Sequence, residues 1–572
     1  MNLNFLSLPI WLLRVALPWL MSLLAGASCA LAQAQTTPGQ LLQDIRTLQP
    51  QAHELPVPSA GAGLQLKPSD SPPAEQLQFV VRQFIFEGHA SLASEELQQR
   101  LLPWRDKPIT YDDLRQATEA IAALYRGKGM LARAVLPPQD ITDGHVTIRV
   151  IESRLGGLAL DNRSQRISNA QIQAWFDRMT PTGQVIDLRS LDHALLALGD
   201  MPTLAVEGYL QEGEAPGQTV LAITVQDKPR YNGQALLDNF GDRNTGKLRS
   251  SAQLNLNGLL NEADQINVYG LHTQGSDYLR AAWTTPVLDT SQGQRIGLFV
   301  STMDYRLTSS AFQSARVTGA ADVAGLEISI PVLRSRTTNV MATLNWANSR
   351  FRSWSDGILS AERSYASTVS QVGFSGNRLD DWQGGGISVA SLMASLGDIR
   401  RLESADTNQV GGQFSKLRYG FSRTQNLPYE LSLLVSLTGQ LASHNMDSSE
   451  QLYLGGPMNV RAYASGQGAA SQGQLYTVEL RKPLPEQWQL AVFYDEGRAQ
   501  TWKFNPTSNN VNNAYSLRGA GLSLSWQGPR DISLKAIWAH RLGQPASSVS
   551  NYLVQNGGLD PQRFWLNASL NF

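Results

Sequence analysis

Along the last ten residues, Arg563 to Phe572, apolar and polar side chains alternate with a period of two. Phe564, Leu566, Ala568, Leu570 and Phe572 share one face of a strand, and Arg563, Trp565, Asn567, Ser569 and Asn571 share the other. The same alternation recurs from Tyr231 onward. Ala252, Leu254 and Leu256 oppose Gln253, Asn255 and Asn257, and Tyr476, Val478 and Leu480 oppose Thr477, Glu479 and Arg481. Leu522, Leu524 and Trp526 oppose Ser523 and Ser525, while Ile532, Leu534, Ala536 and Trp538 oppose Ser533 and Lys535. Gly, Asn, Asp and Ser fill the intervals. One such segment also fits a half-buried strand of a soluble sandwich. Many in succession, with Glu, Arg and Lys opposite an apolar face, point to strands that have lipid outside and water inside. At about 21 residues per strand and connection, residues 229–572 hold about sixteen strands of a transmembrane β-barrel.

Upstream the period changes. Pro38 to Gln49 is a helix candidate, with Leu41, Leu42, Ile45 and Leu48 at helical spacing, Pro38 in the first turn and Pro50 behind it. A linker follows to residue 76, rich in Pro, Ser, Ala and Gly. Residues 77–153 then read strand, helix, helix, strand, strand. Phe79 to Phe86 opens the unit, and the helices lie near Ser94–Leu102 and over Tyr111–Arg126, the latter with a stripe of Leu114, Ala117, Ile121 and Leu124. Leu131–Leu136 and His145–Ile151 close it. Residues 154–228 repeat the order, with helices at Ile172–Phe176 and Leu188–Leu198 and strands at Leu204–Leu210 and Val220–Val225. The repeat implies two tandem α/β modules; one larger α/β domain is the alternative, and the Gly156-Gly157 break speaks against it.

Composition sharpens this picture. Charged residues make up 17% of the chain, below the roughly 25% usual in soluble domains, and no internal run has the ~18 apolar residues of a spanning helix. Arg14 precedes the apolar run Val15–Ala25, and Ala30-Leu31-Ala32 offers a cleavage site, so residues 1–32 read as an export signal. The single cysteine, Cys29, lies before that cut and lacks a Leu-led lipobox, although a lipoprotein is the alternative there. A mature chain without cysteine has neither disulfides nor thiol chemistry. The formal net charge of −1 gives no general attraction to nucleic acid.

Few motifs suggest chemistry. Gly241 to Lys247 has the spacing of a phosphate-binding loop, but Leu248 stands where a Ser or Thr would hold magnesium, and strands flank it, so it reads as a hairpin turn. The seven histidines lack ligand spacing and no nucleophile elbow is present, so no metal, cofactor or enzyme activity is expected. Two stretches stand apart. Gly455-Gly456-Pro457 forces a tight change of direction before Val460-Arg461-Ala462-Tyr463, and Phe493-Tyr494-Asp495-Glu496-Gly497 lies on a strand. A solvated surface loop is the plainer reading of the first.

On these residues the chain resembles the TpsB transporters of two-partner secretion, the haemolysin secretion/activation group of the BamA-like superfamily. The V-R-G-Y loop of that superfamily appears as Val460-Arg461-Ala462-Tyr463, and its F-x-D-x-G strand as Phe493, Asp495 and Gly497. Tyr125 to Arg133 with Val150-Ile151-Glu152 is similar to the end of a first POTRA domain, Leu195 to Pro202 to part of a second, and Asp238 to Gly241 with Thr245-Gly246 to the first barrel hairpin. The departure is Ala462 where glycine is usual, which would penalise a positive φ and shift the loop tip slightly.

The resemblance implies a plug helix, two periplasmic POTRA domains (77–153 and 154–228) and a sixteen-stranded barrel in the outer membrane. It implies that Arg461 pairs with Asp495 on the inner wall and that Phe572 is read by the barrel-assembly machinery. Outer-membrane lipid and a secreted TpsA-type exoprotein of the haemolysin or adhesin kind are the implied partners. Export of that exoprotein through the barrel is then the leading function. An assembly factor for other barrels is the alternative within the superfamily. A passive porin explains the barrel but not the two modules.

Overall fold

The computed structural model describes residues 37–48, 78–141, 143–215, 217–287, 293–356, 361–401, 409–505, 513–543 and 560–572. The expected signal segment and Pro-rich linker lie outside them. No helix among the described residues is long and apolar enough to cross a membrane.

The first module is a three-stranded sheet under two helices. Gln83–Glu87 runs parallel to His145–Glu152, and Ala132–Val135 runs antiparallel to it. The helix Tyr111–Gly127 begins with a capping box. Thr110 Oγ1 accepts from the Asp113 N–H at 3.2 Å, and the Asp113 carboxylate accepts from the Thr110 N–H at 2.8 Å. Its Leu114, Ala117, Ile121 and Tyr125 meet Val146, Ile148 and Val150 in the core. The opening segment expected around Phe79–Phe86 is two strands: Gln78–Val80 pairs with Pro108–Thr110, and a break at the fully buried Val81 separates it from Gln83–Glu87. The Asp106 N–H binds the Val81 carbonyl at 2.8 Å and fixes that break.

The second module has the same topology. Arg154–Asn162 runs parallel to Gln218–Asp227, with Leu204–Glu212 antiparallel and helices at Asn169–Asp177 and Leu188–Gly199. The two modules share material. Leu131 packs into the second core, and the Leu188 N–H donates to the Gly129 carbonyl at 2.7 Å. The helix Leu188–Gly199 and the residue after it dock the second module on the barrel rim. Asp192 meets Arg336 at 2.8 Å and Asp200 meets Arg334 at 2.7 Å.

Sixteen antiparallel strands close into a barrel, from the first, Tyr231–Asp238, to the sixteenth, Gln562–Asn571, which pair with each other. The alternation sorts inside from outside. Phe564 and Leu566 are 63% and 58% exposed outward, whereas Trp565 between them is 4% exposed inside. A belt of Val492, Leu490, Leu522, Leu524 and Leu534 continues the outward apolar face; lipid is the solvent such a face needs. The Gly241–Leu248 segment is a hairpin turn, closed by bonds of 2.9 Å from Gly241 N–H to Lys247 O and from Gly246 N–H to Asp242 O.

Candidate functional site: a loop anchored inside the barrel

Between the eleventh strand, Ser432–Ala442, and the twelfth, Gln472–Leu484, the chain turns back into the lumen. Leu452–Tyr453 pairs with Ala469–Ala470 to make the base of a hairpin. Gly455 and Gly456 set its tip. A Cβ on Gly455 would lie 2.5 Å from the Ala464 carbonyl, and Gly456 has a φ of +136°. The turn returns through a Val460 N–H bond to Leu454 O at 2.8 Å. This presents Val460, Arg461, Ala462 and Tyr463 to the wall, where all four are buried.

The wall receives Arg461 with complementary charge. Its Nε and Nη2 each donate to Asp495 at 2.9 Å, and its backbone N–H adds a third bond at 3.1 Å. Asp495, on the thirteenth strand Trp488–Gln500, is wholly buried and also accepts from Thr477 Oγ1 at 3.0 Å. The guanidinium carbon sits 3.3 Å over the Phe493 ring, a cation–π arrangement. Every residue of the two motifs is thus brought together, Gly497 included. A Cβ there would meet Leu454 at 2.9 Å and Val460 at 3.1 Å, so glycine admits the loop.

Three contacts were not foreseen. Glu479 accepts from Arg461 Nη1 at 2.5 Å and from Arg481 Nε at 2.7 Å, so the site is a chain of two cations and two anions. Trp565 of the closing strand donates its indole N–H to the Arg461 carbonyl at 2.7 Å. Ala462 keeps out of the positive-φ region, so the expected penalty does not arise; its methyl faces Gly519, where a Cβ would lie 2.5 Å away. Alternation already placed Glu479 and Trp565 on inward faces, but no local pattern says what they touch.

The helix Pro38–Leu48 lies within the same lumen. Leu41, Leu42 and Ile45 pack on inward residues including Tyr269, Tyr278, Met303 and Phe351. Its polar side meets the loop. Gln40 Nε2 reaches Gly466 O at 3.5 Å, Gln43 donates to Ser449 O, and Arg418 donates to Gln43 at 3.2 Å. Phe572 lies at the seam on the outside. Its N–H and carbonyl pair with Gly233 at 2.9 and 2.8 Å, and a Cβ on Gly233 would strike its ring at 2.6 Å.

Comparison with known proteins agrees with this architecture. The haemolysin secretion/activation protein ShlB/FhaC/HecB family matches residues 217–526, and the ShlB-type POTRA domain matches residues 79–153. The chain belongs to the haemolysin secretion/activation family. Among curated relatives, the heme/hemopexin transporter protein HuxB of Haemophilus influenzae is 24% identical over 516 residues, covering 87% of each chain. The solved structure of CdiB from Escherichia coli shares the fold with a TM-score of 0.65 at 20% identity, over 90% of this chain and 94% of that one. BamA from Haemophilus ducreyi lacking POTRA domains 1–3 matches at a TM-score of 0.52 and 14% identity, over 87% of this chain and 100% of that one. As in the rest of the haemolysin secretion/activation family, the barrel is an outer-membrane transporter with POTRA domains in the periplasm.

Proposed function

We propose that this protein is an outer-membrane pore that captures an unfolded exoprotein at its periplasmic modules and passes it through the barrel once helix Pro38–Leu48 has left the lumen. The observation that carries this reading is the helix itself. It packs in the lumen through Leu41, Leu42 and Ile45 and hydrogen-bonds through Gln40 and Gln43, and no barrel strand is built on it. The roughly 29 residues joining it to the first module reach up to about 95 Å extended, several times the ~30 Å hydrocarbon thickness, so it can leave without unfolding anything else.

We take residues 77–153 and 154–228 as the two POTRA domains. Gln83–Glu87 and Leu204–Glu212 each have one edge without a strand neighbour among the described residues, and an unfolded client can add there through backbone bonds with little demand on its sequence. Names such as heme/hemopexin transporter and outer membrane transporter among the relatives fit a TpsA-type exoprotein as client. In this reading Arg461, Asp495 and their neighbours keep the loop in place, Phe572 is the mark read by the barrel-assembly machinery, and the role is transport rather than catalysis. The assembly-factor alternative lacks any comparable support from a lumen-filling helix.

Deleting Pro38–Leu48 should raise single-channel conductance in planar bilayers, and unchanged conductance would remove the plug. Co-expression with a large, signal-bearing exoprotein of the TpsA type, sought in the adjacent gene, should deliver that protein to the medium. Retention of the client, together with failed insertion of other barrels when this protein is depleted, would favour the assembly factor.

A further inference from the structure

At the extracellular end of the twelfth to fourteenth strands, the outer wall carries a cationic groove. Reading down the outward positions of Trp488–Gln500 gives Arg498, Glu496, Tyr494, Val492, Leu490 and Trp488. Ten residues at about 3.3 Å each, tilted about 40°, raise Arg498 about 25 Å above Trp488, the height of the apolar band of such barrels. Trp488 stacks on Trp526 of the fourteenth strand, Ala514–Gln527, with ring centroids 5.8 Å apart, marking the inner interface. Arg498 and Arg518 therefore stand at the level of the outer-leaflet headgroups.

Their charge is only partly met. Among the described residues Glu496 alone sits between them, at 2.9 Å from Arg498 Nε and 3.4 Å from Arg518 Nε, and the two guanidinium side chains are 63% and 50% exposed. Amide groups flank them. Gln472 Nε2 donates to Gln500 at 2.6 Å, Gln474 Nε2 donates to the Tyr419 hydroxyl at 2.8 Å, and Lys503 Nζ donates to Gln472 at 3.2 Å. Gly473 and Ala499, both small, help line the groove between these groups. On the fourth and fifth strands the sign reverses: Asp277 and Asp304 are exposed and directly opposite each other. Exposed arginines also occur elsewhere on the outer wall, as at Arg350 and Arg352, where Asp322 meets Arg352 at 2.8 Å; what sets this sector apart is two arginines sharing one carboxylate beside a groove lined by glutamines.

We propose that this groove binds the phosphorylated headgroup of an outer-leaflet glycolipid, with Arg498, Arg518 and Lys503 on phosphate and the glutamine amides on sugar hydroxyls. Guanidinium forks suit phosphate oxygens through charge-assisted, paired bonds, and their place at headgroup level favours a phosphate held on a lipid over a free one. The inference rests on the outer-membrane reading of the barrel but not on its being a secretion pore.

The test uses full-length protein in nanodiscs and a bis-phosphorylated diglucosamine lipid as probe, with retained lipid measured by native mass spectrometry. Arg498→Gln/Arg518→Gln should bind roughly tenfold or more weakly, whereas Arg306→Gln, outside this sector, should bind as wild type. Heat-modifiable barrel and channel conductance should be unchanged in both, which separates failure here from failure of the pore. Equal binding by the double variant, equal retention of the dephosphorylated lipid, or displacement by millimolar inorganic phosphate would each overturn the proposal. If the double variant does not assemble, Lys503→Gln, outside the strands, should weaken retention about threefold, and an unchanged value overturns the proposal equally.

Discussion

Asp495 receives three bonds from one residue, Arg461: two from the guanidinium fork at 2.9 Å and one from the backbone N–H at 3.1 Å. The backbone bond fixes the loop main chain and the fork fixes the side chain, so one carboxylate sets both position and rotation of the tip. Removing either partner leaves a buried charge, at a cost of roughly 3–5 kcal/mol. Arg461→Ala and Asp495→Ala should each reduce client secretion, normalised to barrel abundance, and the double variant should be less impaired than the two defects combined. Glu479 tempers the asymmetry. In Glu479→Gln, Arg461 keeps the Asp495 carboxylate and the amide oxygen can still accept from Arg461 or Arg481, so this should be the mildest of the three singles. Strictly additive losses would argue against direct pairing.

Ala462 and Gly519 form a second test of the docked loop. A methyl added at Gly519 lies 2.5 Å from the Ala462 methyl, so Gly519→Ala should cost about 1–3 kcal/mol of loop docking through overpacking. Ala462→Gly in the same chain should restore most of it, the remainder reflecting the His540 carbonyl at 3.3 Å. Protease resistance of the loop in assembled barrels reports both effects. No rescue by the paired change would place the strain elsewhere.

Phe572→Ser should lower the amount of heat-modifiable barrel in the outer membrane while leaving export to the periplasm intact. Gly233→Val should also lower barrel levels, because a Cβ there would lie 2.6 Å from both the Phe572 ring and the Gln253 backbone carbonyl. Normal barrel levels in Phe572→Ser would mean that the terminal aromatic carries no assembly information.

In the first module Glu152 ties down the turn before helix Ser94–Leu101. Burial pushes its carboxyl upward, but the backbone N–H groups of Ser91 and Ala90, the Ser91 hydroxyl and the Tyr125 hydroxyl together hold it below the ordinary glutamate value. A depressed folded pKa contributes stability that is complete above the unfolded value and is lost as pH falls through the folded one. The urea midpoint of the periplasmic transition, followed in the full chain, should therefore fall less between pH 7 and pH 3 in Glu152→Gln than in wild type. Parallel profiles would show that this carboxylate has no part in acid sensitivity.

What was legible in the sequence was whatever repeats locally. A period of two separates Leu566 from Trp565 wherever the strand is placed, and a helical stripe with Pro38 ahead of it marks Pro38–Leu48 without reference to its surroundings. Likewise the order of elements in residues 77–153 recurs in 154–228, and resemblance alone paired Arg461 with Asp495. Tertiary structure decided the rest. Trp565 reaches the Arg461 carbonyl because the barrel closes strand sixteen on strand one and the loop then folds inward, joining residues 104 apart in the chain. Glu479 becomes the second acceptor because its strand neighbours the one bearing Asp495, with Thr477 directly opposite Asp495. Alanine fits at position 462 because the facing residue, Gly519, lies on another strand and has no side chain. Alternation reports which solvent a side chain faces; it holds no information about the partner across a lumen, since that depends on closure, register and the path of a loop.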